Sequence, residues 1–402
     1  MARELSAATK AIVQTTVPAL AAHGTEITAA MYLLLFKDDG VRNLFNQSHQ
    51  GEGGGQTKAL AQAILAYAQN IDNLAVLGPA VERIVQKHVG LQIEEHHYPH
   101  VANALLAAIK QVLGDAATDE VLAAWGEAYW FLADILIGRE KQVYDELSAA
   151  EGGWSGWRRF RVADKRRESD IITSFVLKPE DGRPVLRHLP GQYLTFRIAV
   201  PGKGEYRRNY SISSAPNGET YRISVKREPS GVISNYLHDK LVVGDVLEVA
   251  PPAGDFFLKE NTARPVVLLS GGVGLTPMVS MLETIAAKEG NANVYYVHGA
   301  EDGKVHAMGE HVRKLVFGRD GMKSAIFYRV PHSDDRKGVH YDQEGFVTLE
   351  WLAENTPLKE ADIYLCGPKP FLATFVNGLD RAGVPKDRIH YEFFGPADDL
   401  AA

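Results

Sequence analysis

The chain has 402 residues, of which 45% are hydrophobic and 23% are charged, and its formal net charge is −7. Length and composition predict two to three ordinary globular domains, and the acidic charge gives no electrostatic reason to expect a nucleic-acid partner. A single cysteine, Cys366, excludes an intramolecular disulfide and a cage of several thiolates around a metal.

The N-terminal sequence lacks the layout of a signal peptide, in which a charged segment precedes an apolar one. The apolar stretches of the sequence are shorter than a membrane span requires. We therefore expect a cytoplasmic protein without membrane insertion.

Residues 1–150 have the pattern of helices throughout. Proline is scarce, and apolar side chains recur at steps of three and four residues, as at Val101, Leu105, Ala108 and Val112. This segment is predicted to be an all-α domain. It ends at a glycine- and tryptophan-rich stretch with the composition of a linker, residues 152–157.

The pattern changes twice after the linker. Residues 151–260 contain short β-rich runs separated by turn residues, which predicts an antiparallel β-barrel domain. From about Pro265 strands alternate with helices, and Val266 to Leu269 runs into a glycine-rich turn and a helix. Residues 261–402 are therefore predicted to form an α/β domain with a doubly wound parallel sheet.

Three polar side chains lie on apolar helix faces of the first segment. His88 follows Ile84 and Val85 by four and three residues, and Tyr98 and Glu140 occupy similar positions on later helices. The residues alone leave two interpretations of His88 open, a hydrogen-bonded core histidine and a metal or haem ligand. A buried carboxylate needs hydrogen bonds, and a hydrogen bond that His88 donates to Glu140 would orient the ring and make it a more anionic ligand.

This helical segment resembles the globin domain of bacterial flavohaemoglobins, which are nitric oxide dioxygenases. The resemblance is carried by the helical layout and by Tyr32, Phe45, Gln56, Leu60 and the pair Lys87-His88. It implies that His88 is the proximal iron ligand of a haem b. It also implies that Tyr98 and Glu140 form the hydrogen-bond network behind this ligand.

The same resemblance implies a distal haem pocket. Tyr32 would donate a hydrogen bond to bound O₂, and Phe45 would pack on the haem. Gln56 and Leu60 would line the pocket, whose apolar character leaves room for a lipid or fatty-acid ligand.

A flavin site is predicted in the second segment. Arg208-Asn209-Tyr210-Ser211 matches the pattern Arg-x-Tyr-Ser, in which arginine pairs with a pyrophosphate and tyrosine stacks on the isoalloxazine. Pro190-Gly191-Gln192-Tyr193 lies upstream, as in flavin domains of the ferredoxin-reductase type. Downstream, a turn opens a helix whose amides can bind phosphate. The residues expected to bind FAD are Tyr193, Arg208, Asn209, Tyr210, Ser211 and Ser234.

A nicotinamide site is predicted in the third segment. Gly271-Gly272-Val273-Gly274-Leu275-Thr276-Pro277 lacks the third glycine of the full dinucleotide fingerprint, and alone it is typical of any strand-to-helix turn. It resembles the nicotinamide-binding turn of this reductase family, and Cys366-Gly367-Pro368 resembles its partner motif. The closing segment Phe393-Phe394-Gly395-Pro396 resembles the one in which an aromatic ring, here Phe394, covers the flavin.

Glu301 follows the second predicted strand of the third segment. An acidic group there can accept hydrogen bonds from a ribose and repel a 2′-phosphate. NADH is therefore favoured over NADPH.

The combination implies that NAD(P)H reduces FAD, that FAD passes single electrons to haem, and that NO and O₂ are converted to nitrate. The expected partners are these small molecules, with no obligate protein partner. Two alternatives stay open, reduction of alkyl or lipid hydroperoxides and an oxygen sensor or store. The fused reductase argues against a store, because a store needs no continuous supply of electrons.

Overall fold

A computed structural model describes residues 4–45, 55–260, 263–288 and 292–395 of the chain. It divides the chain into two units next to the predicted linker. The first unit is built on the helices up to Ala149 and includes Pro201–Arg207, and the second holds Ala150–Val200 and Arg208–Phe394. The predicted boundary at residue 260 between two reductase domains stays a prediction.

The part of the first unit up to Ala149 is all-α, as predicted. Helix α2 packs against α4 and α6, and α7 packs against α1, α5 and α6 around a core that includes Ile27, Ile71, Val85 and Ile109. The Ser6 side chain caps α1 by accepting a hydrogen bond from the Thr9 amide. The helices are α1 (Ala7–Thr15), α2 (Val17–Leu35), α3 (Asp39–Arg42), α4 (Gly55–Gln69), α5 (Gly78–Leu91), α6 (Tyr98–Leu113) and α7 (Asp119–Ala149).

Helix α7 differs from the sequence-based expectation about membrane spans. It has 31 residues and includes a stretch that is long and apolar enough to cross a membrane by length and composition. Core helices of soluble proteins meet the same criterion, and α7 packs against three helices of its unit. One such helix is therefore weak evidence for a membrane span.

The second unit begins with a six-stranded sheet in the order β4-β3-β6-β1-β2-β5. The registers of β1 with β2 and β6, of β2 with β5 and of β3 with β6 are antiparallel, as predicted for a flavin-domain barrel. Its elements are β1 (Arg158–Arg167), β2 (Ile172–Pro179), β3 (Tyr193–Val200), β4 (Gly204–Ser211, of which Arg208–Ser211 belong to the second unit), β5 (Tyr221–Lys226), α8 (Val232–Asp239) and β6 (Val246–Val249).

The rest of this unit is a parallel sheet in the order β10-β9-β8-β7-β11-β12, which confirms the predicted doubly wound fold. The chain winds outward from β7 in one direction and from β11 in the other. Ligands of such sheets bind outside the carboxyl ends of the strands at this switch point. The elements are β7 (Val266–Gly271), α9 (Leu275–Ala286), β8 (Val294–Ala300), α10 (Gly309–Val316), β9 (Met322–Tyr328), β10 (Gln343–Glu344), α11 (Leu349–Asn355), β11 (Asp362–Cys366), α12 (Lys369–Arg381) and β12 (Ile389–Glu392).

Gly274 fixes the approach of two chain segments at the switch point. A Cβ atom at this position would overlap the carbonyl oxygen of Cys366 and would lie 2.8 Å from the amide nitrogen of Gly367. The turn after β7 and the end of β11 therefore touch backbone to backbone, which only glycine permits.

We predict that Gly274→Ala destabilises the second unit, because backbone atoms must move to admit one methyl group. Overpacking of this kind costs about 1–3 kcal/mol, and thermal unfolding of the purified protein measures it. Gly299→Ala is the matched control, since its Cβ would meet Val347 Cγ2 at an ordinary 3.8 Å. Equal unfolding temperatures for the two variants would contradict the close approach.

Candidate active site

His88, Tyr98 and Glu140 meet inside the helical unit. The imidazole Nδ1 of His88 donates a hydrogen bond to Glu140 Oε1 at 2.7 Å, and the Tyr98 hydroxyl donates to the same oxygen at 2.6 Å. Only 3% of the Glu140 side chain is exposed, against 31% of the His88 side chain. Burial of a carboxylate is costly unless donors compensate it, and here two side chains from α5 and α6 do so.

This arrangement leaves one ring nitrogen of His88 for a ligand. The hydrogen bonds described for His88 all involve Nδ1, so the lone pair of Nε2 is the available donor. Burial and the hydrogen bond to Glu140 raise the pKa of Tyr98, which keeps its hydroxyl protonated as a donor. An imidazole with an anion behind it is the axial donor that a haem iron takes in globins and peroxidases. His88, Glu140 and Tyr98 therefore fit a haem.

A metal cage built from side chains alone has no support in the part of the chain that the structure describes. No group of three or more histidine, cysteine, aspartate or glutamate residues could hold an ion there. A single histidine ligand fits a metal whose other ligands come from a porphyrin.

Two tyrosines that the sequence patterns did not single out as site residues hold the backbone around the His88 network. The Tyr129 hydroxyl donates to the carbonyl of Tyr98, and the Tyr144 hydroxyl donates to the carbonyl of Ile93, both at 2.8 Å. The Ile93 amide in turn donates to the carbonyl of His88 at 2.9 Å. Tyr129 and Tyr144 lie on α7 with Glu140, so one helix supplies both the carboxylate and two backbone anchors.

Three aromatic rings form a cluster on the other predicted face of the haem site. The Tyr32 ring lies 5.4 Å from Phe36 and 5.7 Å from Phe45, measured between centroids. Tyr32 is buried, and burial raises its pKa, so its hydroxyl stays protonated at neutral pH. A protonated hydroxyl on a ring held by two aromatic side chains fits a site for a small polar ligand.

Gln56 and Leu60 are placed on the first two turns of α4, four residues apart and therefore on one face of the helix. Both are half-buried, and Leu60 packs against the helical core. Helix α4 packs against α2, which carries Tyr32. The structure thus brings Tyr32 and Phe45 into contact and puts Gln56 and Leu60 on the adjacent helix.

The two predicted flavin motifs lie side by side in the β-sheet. The amide of Ile212, which follows Ser211, donates to the carbonyl of Gln192 at 2.9 Å. Tyr193 exchanges two backbone hydrogen bonds of 3.0 Å with Ala253. Asn209 accepts a hydrogen bond from Thr195 at 2.9 Å.

The Tyr193 ring and the start of α8 complete the candidate flavin site. A Cβ at Gly254 would lie 3.0 Å from the Tyr193 ring, and the φ angle of +117° there favours glycine. Ser234 lies in the first turn of α8, and no side chain caps that turn among the described residues. The backbone amide groups of this first turn of α8 suit a phosphate of FAD. Arg208 and Tyr210 lie near the end of β4.

The predicted nicotinamide residues lie at the carboxyl ends of β7 and β11. Gly272–Gly274 forms a single 3₁₀ turn, and Gly272 has a φ of +56°. Thr276 Oγ1 donates back to the carbonyl of Val273 at 3.1 Å, which tightens the start of α9 at Leu275 and Pro277. Cys366 is fully buried at the end of β11, next to Gly367.

The closing motif is described up to Gly395, and Pro396 lies outside the described residues. Phe393 packs against the core of the parallel sheet, and the side chain of Phe394 is 44% exposed. An exposed aromatic side chain suits a ring that covers a cofactor.

Glu301 has a partner that the sequence motif did not include. Arg329 donates two hydrogen bonds to its carboxylate, one of 2.6 Å from Nε to Oε2. The carboxylate is therefore not an isolated negative charge, and the neighbouring guanidinium suits a 2′-phosphate. This pairing removes the electrostatic argument for NADH, and the choice of coenzyme stays a prediction.

The sequence matches three family descriptions in the order of the predicted segments. These are globin over residues 28–136, oxidoreductase FAD-binding domain over residues 159–258, and oxidoreductase NAD-binding domain over residues 268–377.

Similar proteins extend over the full length. A flavohemoprotein of Xylella fastidiosa strain 9a5c is 53% identical and covers 100% of both chains. A flavohemoprotein of Halalkalibacterium halodurans is 46% identical and covers 99% of this chain and 98% of its own.

Two solved structures agree with these matches. The flavohemoglobin of Malassezia yamatoensis with bound FAD and heme has a TM-score of 0.85 at 25% identity, covering 97% of this chain and 100% of its own. The FAD/NAD-binding domain of a nitric oxide dioxygenase from Vibrio cholerae has a TM-score of 0.53 at 42% identity, covering 60% of this chain and 99% of its own. The chain belongs to the flavohaemoprotein family, whose members join a haem-binding globin to an FAD- and NAD-binding oxidoreductase.

Proposed function

We propose that this protein is a nitric oxide dioxygenase that converts NO and O₂ to nitrate with electrons from NAD(P)H. The proposal is carried by the His88–Glu140–Tyr98 hydrogen bonds in a chain that also contains flavin and nicotinamide domains. The 42% identity of the reductase segment to the named nitric oxide dioxygenase domain of Vibrio cholerae supports it. NO, O₂ and NAD(P)H are the proposed partners, without nucleic acid or an obligate protein partner, in the cytoplasm.

Haem supplies an iron that takes one electron at a time and binds O₂, whereas FAD accepts a hydride and returns single electrons. On the protein side, Glu140 accepts a hydrogen bond from His88, with 2.7 Å between Nδ1 and Oε1, and makes Nε2 a more basic electron-pair donor. Tyr98 supplies the second donor that keeps this carboxylate compensated within the core. The iron ligand is thereby oriented and electron-rich before any substrate arrives.

Tyr32 has the properties of a ligand-holding donor on the distal side. Its raised pKa keeps the phenol protonated at neutral pH, and its ring is fixed by contacts with Phe36 and Phe45. A hydrogen bond from this hydroxyl to O₂ in the haem pocket would retain O₂ until NO reacts.

We predict that the full-length protein forms many nitrate ions per haem and consumes two NO for each NAD(P)H. Arg208→Ala weakens FAD binding roughly ten- to a hundred-fold, because a charge-assisted pyrophosphate contact contributes about 1.5–3 kcal/mol. The variant keeps its haem absorbance and loses nitrate formation until FAD is added in excess. The readouts are FAD titration, nitrate yield and NADH oxidation.

Arg381→Ala, an exposed position on α12, is the matched control and keeps wild-type nitrate formation. If the wild type oxidises NADH equally fast without NO, or reduces a lipid hydroperoxide faster than it consumes NO, the dioxygenase proposal is wrong. A wild type that stops after one nitrate per haem would favour an oxygen sensor or store.

We predict that Tyr32→Phe speeds O₂ release from the reduced protein about ten- to a hundred-fold, as expected for loss of a hydrogen bond to a charged acceptor. Haem content stays unchanged, because ring packing is preserved. Stopped-flow absorbance measures the release. The control is Tyr67→Phe, which removes a hydroxyl bonded to the carbonyl of Ala128 at 2.8 Å and leaves O₂ release unchanged. Equal release rates for both variants would remove Tyr32 from the ligand site.

A further inference from the structure

Helix α9 is attached to the segment that follows the predicted flavin motif. Glu283 Oε2 accepts a hydrogen bond of 2.7 Å from the Ala215 amide, and Ser280 Oγ donates one of 2.7 Å to the carbonyl of Ser214. Ser280 and Glu283 are three residues apart and therefore project from the same face of α9. The residues they hold begin three positions after Ser211.

Glu283 is a shared acceptor for three donors from different parts of the second unit. Besides the Ala215 amide, Oε1 accepts from Arg222 Nη2 at 2.6 Å and from His311 Nε2 at 2.7 Å. Only 14% of its side chain is exposed. Burial raises the pKa of Glu283, but the hydrogen bond from His311 and the charge of Arg222 outweigh burial and leave the pKa below its ordinary value. The carboxylate is therefore ionised at neutral pH.

The same short segment is held from the flavin-domain side. His188 Nε2 donates to the carbonyl of Ser214 at 3.0 Å, and burial lowers the pKa of His188 to about 4, so this ring is neutral at pH 7. Arg222 also donates to the carbonyl of Ser213. Three consecutive backbone groups, at residues 213, 214 and 215, thus have fixed partners, and Arg222 binds both this segment and Glu283.

The position of α9 gives these contacts a functional meaning. Its first residue, Leu275, follows the Gly272–Gly274 turn, and Ser280 lies five residues further on, about 7.5 Å along a rigid helix axis. Met281 also contacts the upstream flavin motif, since a Cβ at Gly191 would lie 2.7 Å from its Cε. Helix α9 is therefore a short, rigid link between the candidate nicotinamide turn, the upstream flavin motif at Gly191 and the segment that follows Ser211.

We propose that Glu283, assisted by Ser280, is a positioning residue that fixes the nicotinamide turn relative to the flavin and so sets the geometry of hydride transfer. The inference rests on the proposed electron path from NAD(P)H to FAD. In that step a C–H bond at C4 of the dihydronicotinamide breaks and an N–H bond forms at the flavin. Both electrons travel with the hydride, which leaves NAD(P)⁺ and reduced flavin.

The rate of such a step depends steeply on placement. Reacting atoms must come within about 3–3.5 Å, and a misplacement of about 1 Å can cost a hundred-fold in rate. Glutamine at position 283 cannot replace the carboxylate. If its amide group faced Arg222 and His311, donors would oppose donors, and if it faced Ala215, it would oppose the backbone amide.

The test is anaerobic stopped-flow reduction of the bound flavin by NADH in the full-length holoprotein. For Glu283→Gln we expect the limiting rate at saturating NADH to fall about ten- to a hundred-fold. The Kd for NADH and the FAD content should stay within about twofold of wild type, since α9 carries its nucleotide-binding turn with it. The primary isotope effect with 4-deuterated NADH should increase, because hydride transfer then limits the observed rate.

Glu310→Gln is the matched control, because this carboxylate on neighbouring α10 is 92% exposed and its ion pair with Lys314 lies at the surface. It should behave as wild type. Ser280→Ala provides a second variant if Glu283→Gln does not fold, and it should slow the limiting rate about threefold or more.

A folded Glu283→Gln with a wild-type limiting rate would overturn the proposal. So would a loss that appears only in the Kd for NADH or in FAD content, which would indicate a structural role. Failure of the proposed function is distinguishable, because in that case the wild-type flavin would not be reduced by NADH or NADPH, or its reduction would not sustain NO consumption.

Discussion

The burial of one carboxylate, that of Glu140, determines how the candidate haem ligand His88 is oriented. Glu140 lies in the helical core, where an uncompensated charge would cost several kcal/mol. His88 and Tyr98 compensate it from two other helices. Because the Nδ1–H group of His88 donates to Glu140, this one hydrogen bond fixes the orientation of the imidazole ring and leaves Nε2 available. Tyr129 and Tyr144 then hold the backbone of the neighbouring segments to α7.

The reductase side depends on a different constraint, the close approach of backbone segments. At Gly274 the turn after β7 contacts the end of β11, and at Gly191 the flavin motif approaches α9 and the Phe256 carbonyl. These contacts put the nicotinamide turn, α9 and the flavin strand in one continuous structure. Hydrogen bonds to a charged side chain add to these backbone contacts, since the ionised Glu283 accepts hydrogen bonds from three separate segments.

The fold was predictable because each segment has its own periodicity and the glycine motifs mark the strand-to-helix turns. The meeting of His88, Tyr98 and Glu140 could be anticipated too, because each interrupts an apolar helix face. Partners from distant parts of the chain could not be predicted. Arg329 follows Glu301 by 28 residues and Glu283 follows Ala215 by 68, and no local pattern records either pair.

The membrane criterion for α7 was missed for a similar reason. Few charged residues interrupt its apolar stretch, so α7 is long and apolar enough to cross a membrane by length and composition. In the structure this helix packs against α1, α5 and α6. Sequence patterns describe a helix in isolation, whereas its packing partners decide what its apolar face contacts.

The most direct test of the account is the iron–histidine stretching frequency of the reduced protein, measured by resonance Raman spectroscopy. Glu140→Gln keeps the shape of the side chain and removes its charge, so His88 becomes a weaker donor and the frequency falls. Glu146→Gln, an exposed carboxylate on the same helix, leaves the frequency unchanged. If Glu140→Gln also leaves it unchanged, the carboxylate does not act on the iron through His88, and the account of the haem site is wrong.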